Sequence, residues 1–169
     1  MPKVEALKPP DAISRRQQDN VLAWFHEVLA DCAYALGDYA TAERLITRAM
    51  EARQRMASKD PGDKREEMAA QALGAAVMAR ANQADKARGF AARSLEFERA
   101  LSARNVDDPS QRFELAMALY GAAVAGAGDP APMLTEASGI VDKLPPEMRS
   151  LHTVAAWRQR IAEEQKKRR

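Results

Sequence analysis

Apolar positions recur along most of this chain at steps of three and four, the spacing that lays one stripe along an α-helix. Val21, Trp24, Phe25, Val28, Leu29 and Cys32 form one stripe, closed by Leu36, and Ala42, Leu45, Ile46, Ala49 and Met50 form another. Between them Gly37 can take the positive φ that ends a helix, and Asp38 can accept from the free amides of the next. The pattern predicts a first helix from a cap at Asp11 or Ser14 to about Leu36, and a second over about 39–57 with Glu43, Arg44, Arg48, Glu51, Arg53 and Arg55 on its outer side. Cys32 reads as a small core residue, and His26 as a residue of the helix–helix seam.

The same logic continues downstream. A loop, SKDPGD, turns at Pro61-Gly62, and Asp63 with Glu66 fits an acidic capping box. A third helix over about 64–80 is apolar nearly all round, which suits burial between neighbours. A fourth over about 85–103 carries Ala87, Phe90, Ala91, Leu95, Phe97 and Leu101. In RNVDDP, Asp108 is placed to cap, Pro109 to take the first helical position and Gln111 the third. A fifth helix over about 109–127 ends in a glycine-rich tail that suits close backbone contact, and a short sixth covers about 131–144. After Pro145-Pro146 a last helix over about 147–166 has Met148, Leu151, Val154, Trp157 and Ile161 on one face, with Arg149, Arg158, Arg160, Glu163 and Glu164 on the other.

Leu29, Ala30, Gly37, Asp38, Tyr39, Ala42 and Ala49 stand where the tetratricopeptide repeat (TPR) has its characteristic Leu, small residues, turn and aromatic, and the first hairpin resembles that family. Its Trp place falls on His26, beside Trp24 and Phe25. A looser copy has Asn82, Gln83, Ala84, Asp85, Lys86 and Ala87 at the turn, with Ala75 and Ser94 at the small places. A third has Tyr120, Gly121, Gly128, Asp129 and Pro130, with Pro145 where the family often ends its second helix. Met133 and Ile140 replace small residues there, so that hairpin is expected to pack more openly. The turns at Gly37, Asn82 and Gly128 are 45 and 46 residues apart, against a usual repeat of about 34, which resembles the long-helix variants of the family. The resemblance implies an all-α fold: a right-handed superhelical array of about three TPR-like hairpins with a C-terminal capping helix. The expected organisation is an N-terminal arm at 1–10, a repeat domain at 11–145 and a capping helix with a basic tail at 146–169.

Composition agrees with close-packed helices. Hydrophobic residues make up 46% and charged residues 30% of 169, and aromatics only 5%. The formal charge of +2 does not call for nucleic acid. One cysteine excludes a disulfide framework within the chain, and no apolar run approaches the ~20 residues of a membrane span. The start of the chain lacks the apolar segment of a secretory signal, so a cytoplasmic location is expected. His26 and His152 are the two candidate bases, and neither lies in a catalytic motif. GAAVAGAGD lacks the strand and Lys-Ser/Thr of a phosphate loop. Neither an enzyme nor a cofactor or metal site is expected.

What the repeat resemblance implies instead is a concave inner wall made by the first helix of each hairpin. By position this wall takes Trp24, Glu27, Asp31 and Tyr34 from the first unit, Ala69, Ala72, Ala76, Ala79 and Arg80 from the second, and Leu115, Ala118, Ala122 and Ala125 from the third. Such a wall suits an extended peptide or an amphipathic helix of a protein partner. Core burial of the middle alanines, and of Trp24 and Tyr34, is the competing reading. Two other functions stay open: a self-associating protein that dimerises through the third and fifth helices, and a nucleic-acid or anionic-membrane binder using the terminal KKRR. The latter is the weaker, because a solvated helix end accounts for those charges.

Overall fold

A computed structural model describes residues 12–56 and 61–168. The expected arm at 1–10, the cap at Asp11 and the start of the SKDPGD loop lie outside the described residues. Within them are eight helices and no strand: α1 (Ala12–Ala35), α2 (Tyr39–Met56), α3 (Pro61–Arg80), α4 (Ala84–Arg104), α5 (Pro109–Ala125), α6 (Pro130–Asp142), α7 (Pro146–Arg149) and α8 (His152–Lys167). Contacts divide the chain into a first unit ending at Ala70 and a second beginning at Gln71, the division falling within α3.

In the first unit α1 packs against α2, but not through the stripe of large apolar residues. The buried positions of α1 are Ala23, His26, Ala30, Ala33 and Tyr34, and those of α2 are Ala42, Ile46, Ala49, Ala52, Arg53 and Met56. Ala23, Ala52 and Met56 share one buried cluster. Small residues face small residues, so the two backbones approach closely, and dispersion contacts replace bulky interdigitation. At 100° per residue, Val21, Phe25, Val28 and Cys32 then lie on the far side of α1, and Cys32 is exposed rather than in the core. Ser14 lies within α1.

In the second unit Gln71 to Met78 of α3 are all buried, α4 packs on α5, α5 on α6, and α8 on both α5 and α6. Gly121 in α5 lies so close to α3 that a Cβ there would sit 2.5 Å from the Ala72 carbonyl oxygen. Trp157 of α8 meets Tyr120 of α5 edge-on at 5.3 Å and 89°, a favoured aromatic geometry. The expected last helix is two helices. Pro145 and Pro146 start α7, Ser150 Oγ donates to the Glu147 carbonyl, and Leu151 is extended at ψ 133° before α8 begins.

Three turns share one hydrogen-bond pattern. Gly37, Asn82 and Gly126 have φ of 77°, 60° and 66°. In each, that residue's N–H reaches the carbonyl three back (Tyr34, Ala79, Ala123), and the next N–H reaches the carbonyl five back (Ala33, Met78, Ala122). This is the Schellman ending of a helix. The third left-handed residue is therefore Gly126, not Gly128 as the spacing predicts. In the first two turns the next helix follows at once, from Asp38 and Gln83. In the third, Ala127 and Gly128 intervene before Asp129 caps α6 through Ala131 N.

Caps follow the sequence closely elsewhere. Asp38 accepts from Thr41 N at 3.1 Å, which draws its carboxyl below the usual range. Asp108 accepts from Ser110 N and Gln111 N, with Pro109 first in the helix. Gln111 does not complete a capping box, because its side chain donates to Glu98 of α4 inside the core. Pro61-Gly62 is the first turn of α3 rather than a loop turn, and Asp63, already helical, accepts from Arg16 at 2.6 Å.

Candidate functional site

The packing of α1 through its small residues leaves its large ones outside. Val21, Trp24, Phe25, Val28 and Leu29 are between 39% and 55% exposed, and Leu36 is 85% exposed. Trp24 and Phe25 meet edge to face at 5.0 Å and 67°. Exposed Cys32 continues the row, and the spacing of Val21, Phe25, Val28 and Cys32 is the four–three–four step of a helix-pairing seam. No charged side chain interrupts these positions. Contiguous exposed apolar surface of this kind marks interaction sites more often than chance exposure does.

Polar groups hold the opposite side of α1 in place. Arg53 of α2, only 5% exposed, donates Nε to Glu27 Oε1 at 2.8 Å and a terminal nitrogen to Glu27 Oε2 at 3.2 Å. The same guanidinium reaches Asn20 at 2.6 Å and Glu66 of α3. Arg53 is thus an internal fastener, not one of the outer charges of α2. Burial pushes the Glu27 carboxyl above the usual carboxylate range, outweighing the pull of Arg53. The surroundings hold the Arg53 guanidinium charged: burial opposes its charge, but hydrogen bonding and attraction from Glu27, with Glu66 and Asp63, raise its pKa. Asp19 accepts from Arg55 at 2.8 Å.

The residues expected on an inner wall are distributed between surface and core. Trp24 is exposed on the apolar face of α1. Asp31 and Ala69 are half-buried. Tyr34, Ala76, Leu115 and Ala122 are buried, as are Ala72, Ala118 and Ala125, so these side chains already have neighbours within the chain. Most apolar side chains of α3 and α5, where a dimer face is expected, are buried in the same way. Glu27 is bound to Arg53. Arg80 is bound to Glu164 of α8 at 2.5 Å, where Lys167 and Arg168 also converge at 3.5 and 3.0 Å. Glu164 is therefore a buried anchor at 3% exposure and not an outer charge, and two members of the basic tail are spent on it. Burial would raise the Glu164 carboxyl, yet Arg80, Lys167 and Arg168 together hold it below the usual range.

The exposed row Val21, Phe25, Val28 and Leu29 was written in the sequence as a stripe, but nothing in its spacing says that it faces outward. His26 is buried in the first unit and His152 is exposed in the second. Among the described residues no group of three or more His, Cys, Asp or Glu could hold a metal ion, and no helix is long and apolar enough to cross a membrane. No family model, curated protein or solved structure matches the chain.

Proposed function

We propose that this chain is a non-catalytic protein–protein interaction module, a TPR-like scaffold or sensor of the cytoplasm. It offers the outward row of α1 to an amphipathic helix or peptide of a protein partner. The observation that carries this reading is the uncharged apolar face of α1, with Trp24 at its edge. Exposed aromatic and aliphatic anchors with room around them are what a partner's apolar stripe buries. The three turns of common geometry support the repeat reading, and with it a stacked superhelical array.

Cys32 provides the test, because it is the chain's one thiol and it lies in the row. A photoreactive group on Cys32 is expected to label a defined partner in extracts. Trp24→Ser with Val28→Ser should reduce that labelling at least tenfold while circular dichroism stays unchanged. Equal labelling by the folded double variant would remove this face from consideration. Self-association is a second reading, favoured by the four–three–four spacing, and it moves the dimer contact from α3 and α5 to α1. Sedimentation equilibrium separates the two: a monomer at all concentrations leaves only a foreign partner.

A further inference from the structure

A cleft of about 550 Å³ opens in the second unit beside α6, lined by Arg112 of α5 and by Pro132, Glu136, Gly139, Ile140 and Lys143. Pro132, Glu136 and Gly139 of α6 and Lys143 just past its end step by four and three and share one face, about 16 Å long at 1.5 Å per residue. Ile140 is one of the two large residues that stand in this hairpin where the repeat has small ones. The lining is mostly apolar, and three features of it point to a bound segment.

The first is Gly139. Glycine inside a helix is unfavourable against alanine, and a Cβ at Gly139 would meet nothing within 4 Å. Internal packing does not require this glycine, in contrast to Gly121. With no side chain at this position, a bound segment has room to approach the α6 backbone closely. The second is charge. Glu136 is held by Arg99 at 2.8 Å. Among the described residues neither the Arg112 guanidinium nor the Lys143 ammonium has a hydrogen-bond or ion-pair partner. The cleft therefore carries two cations in excess. The third is the mixture: hydrocarbon floor, two cations and one carboxylate. A nucleic-acid backbone would set phosphates against Glu136 and leave the floor unused.

We propose that this cleft binds a short acidic–apolar peptide segment. Its carboxylates pair with Arg112 and Lys143, and one apolar side chain lies over Gly139 against Ile140. An extended peptide of about five residues spans the face at roughly 3.3 Å per residue. This site is independent of the α1 face, so either can fail without the other.

The test uses the full chain and a fluorescein-labelled heptapeptide alternating Glu with Leu, with the Gln-for-Glu peptide as control. Anisotropy should show the acidic peptide binding at least tenfold more tightly at low salt, with the difference shrinking as salt rises. Arg112→Ser with Lys143→Ser should bring the two peptides level. Gly139→Leu, which adds a helix-favouring residue into open space, should abolish binding while melting is unchanged or raised. Amide shifts in a nitrogen–proton NMR titration should centre on residues 139–143. Equal affinity for both peptides, no saturable binding to 1 mM, full binding by Gly139→Leu, or tighter binding of a single-stranded oligonucleotide at the same residues would each overturn the proposal.

Discussion

Gly121 and Gly139 occupy the interiors of α5 and α6, and a methyl group acts on them in opposite senses. At Gly121 it meets the Ala72 carbonyl of α3, and backbone cannot step aside as a side-chain tip can. Gly121→Ala is expected to destabilise by about 1–3 kcal/mol, the usual range for overpacking. Gly139→Ala should stabilise by about 0.5–1 kcal/mol, the helix preference alone. Urea unfolding of the two variants reads both signs. Asn82 holds φ at 60° without being glycine, a conformation Asn tolerates better than most residues. Asn82→Gly should gain up to about 1 kcal/mol and Asn82→Val should lose about 1–2 kcal/mol, measured by the same means. The need for glycine at Gly37 and for closeness at Gly121 was legible in the chain. The choice of Gly126 over Gly128 was not, because two glycines so near each other offer the same freedom and only hydrogen-bond register separates them.

At the scale of the helix, α1 shows where periodicity stops informing. It carries two stripes of helical spacing, one of large residues and one of alanines with His26. Either could face α2. Close approach to Ala42, Ala49 and Ala52, together with the seat that Glu27 makes for Arg53, selects the small one. Long-range pairing of this kind leaves no mark in local sequence, which is also why Arg53 and Glu164 read as surface charges. Arg53→Ala strands Glu27 and should cost about 1.5–3 kcal/mol, the range for hydrogen bonds to charged groups, observable as a lower melting temperature. In α8, the folded Glu164 carboxyl lies below its ordinary value of 4.5. It therefore contributes stability above that pH, and the contribution is lost as pH falls through the lowered value. Glu164→Gln should be less stable than the parent at pH 7, with the gap closing below pH 4.5. Denaturant midpoints across that window, in buffers of constant ionic strength, would show no such convergence if the three cations did not act on Glu164. Glu27, whose carboxyl is raised, works in the other direction: its contribution is present at low pH and is lost as pH rises through the raised value.

Across the whole molecule, the all-helical class, the order of the helices and most of their ends were legible, because capping residues and three-to-four spacing are local signals. The candidate site was legible as a stripe but not as a surface, and of the inner-wall residues assigned by position, Ala72, Ala76, Leu115, Ala118, Ala122 and Ala125 are core. Native-state hydrogen exchange is expected to find the slowest amides in Gln71–Met78 and in α5 around Ala118–Ala123, where burial is continuous. Faster exchange there than in α1 would contradict that ranking. The connections after α1 and α3 match in length and register, while the one after α5 places Ala127 and Gly128 between its left-handed residue and its cap. The short joints behave as interchangeable couplings that a protein engineer could swap between hairpins. The long one is a splice point, where new termini or an inserted loop would meet the least resistance from neighbouring rods.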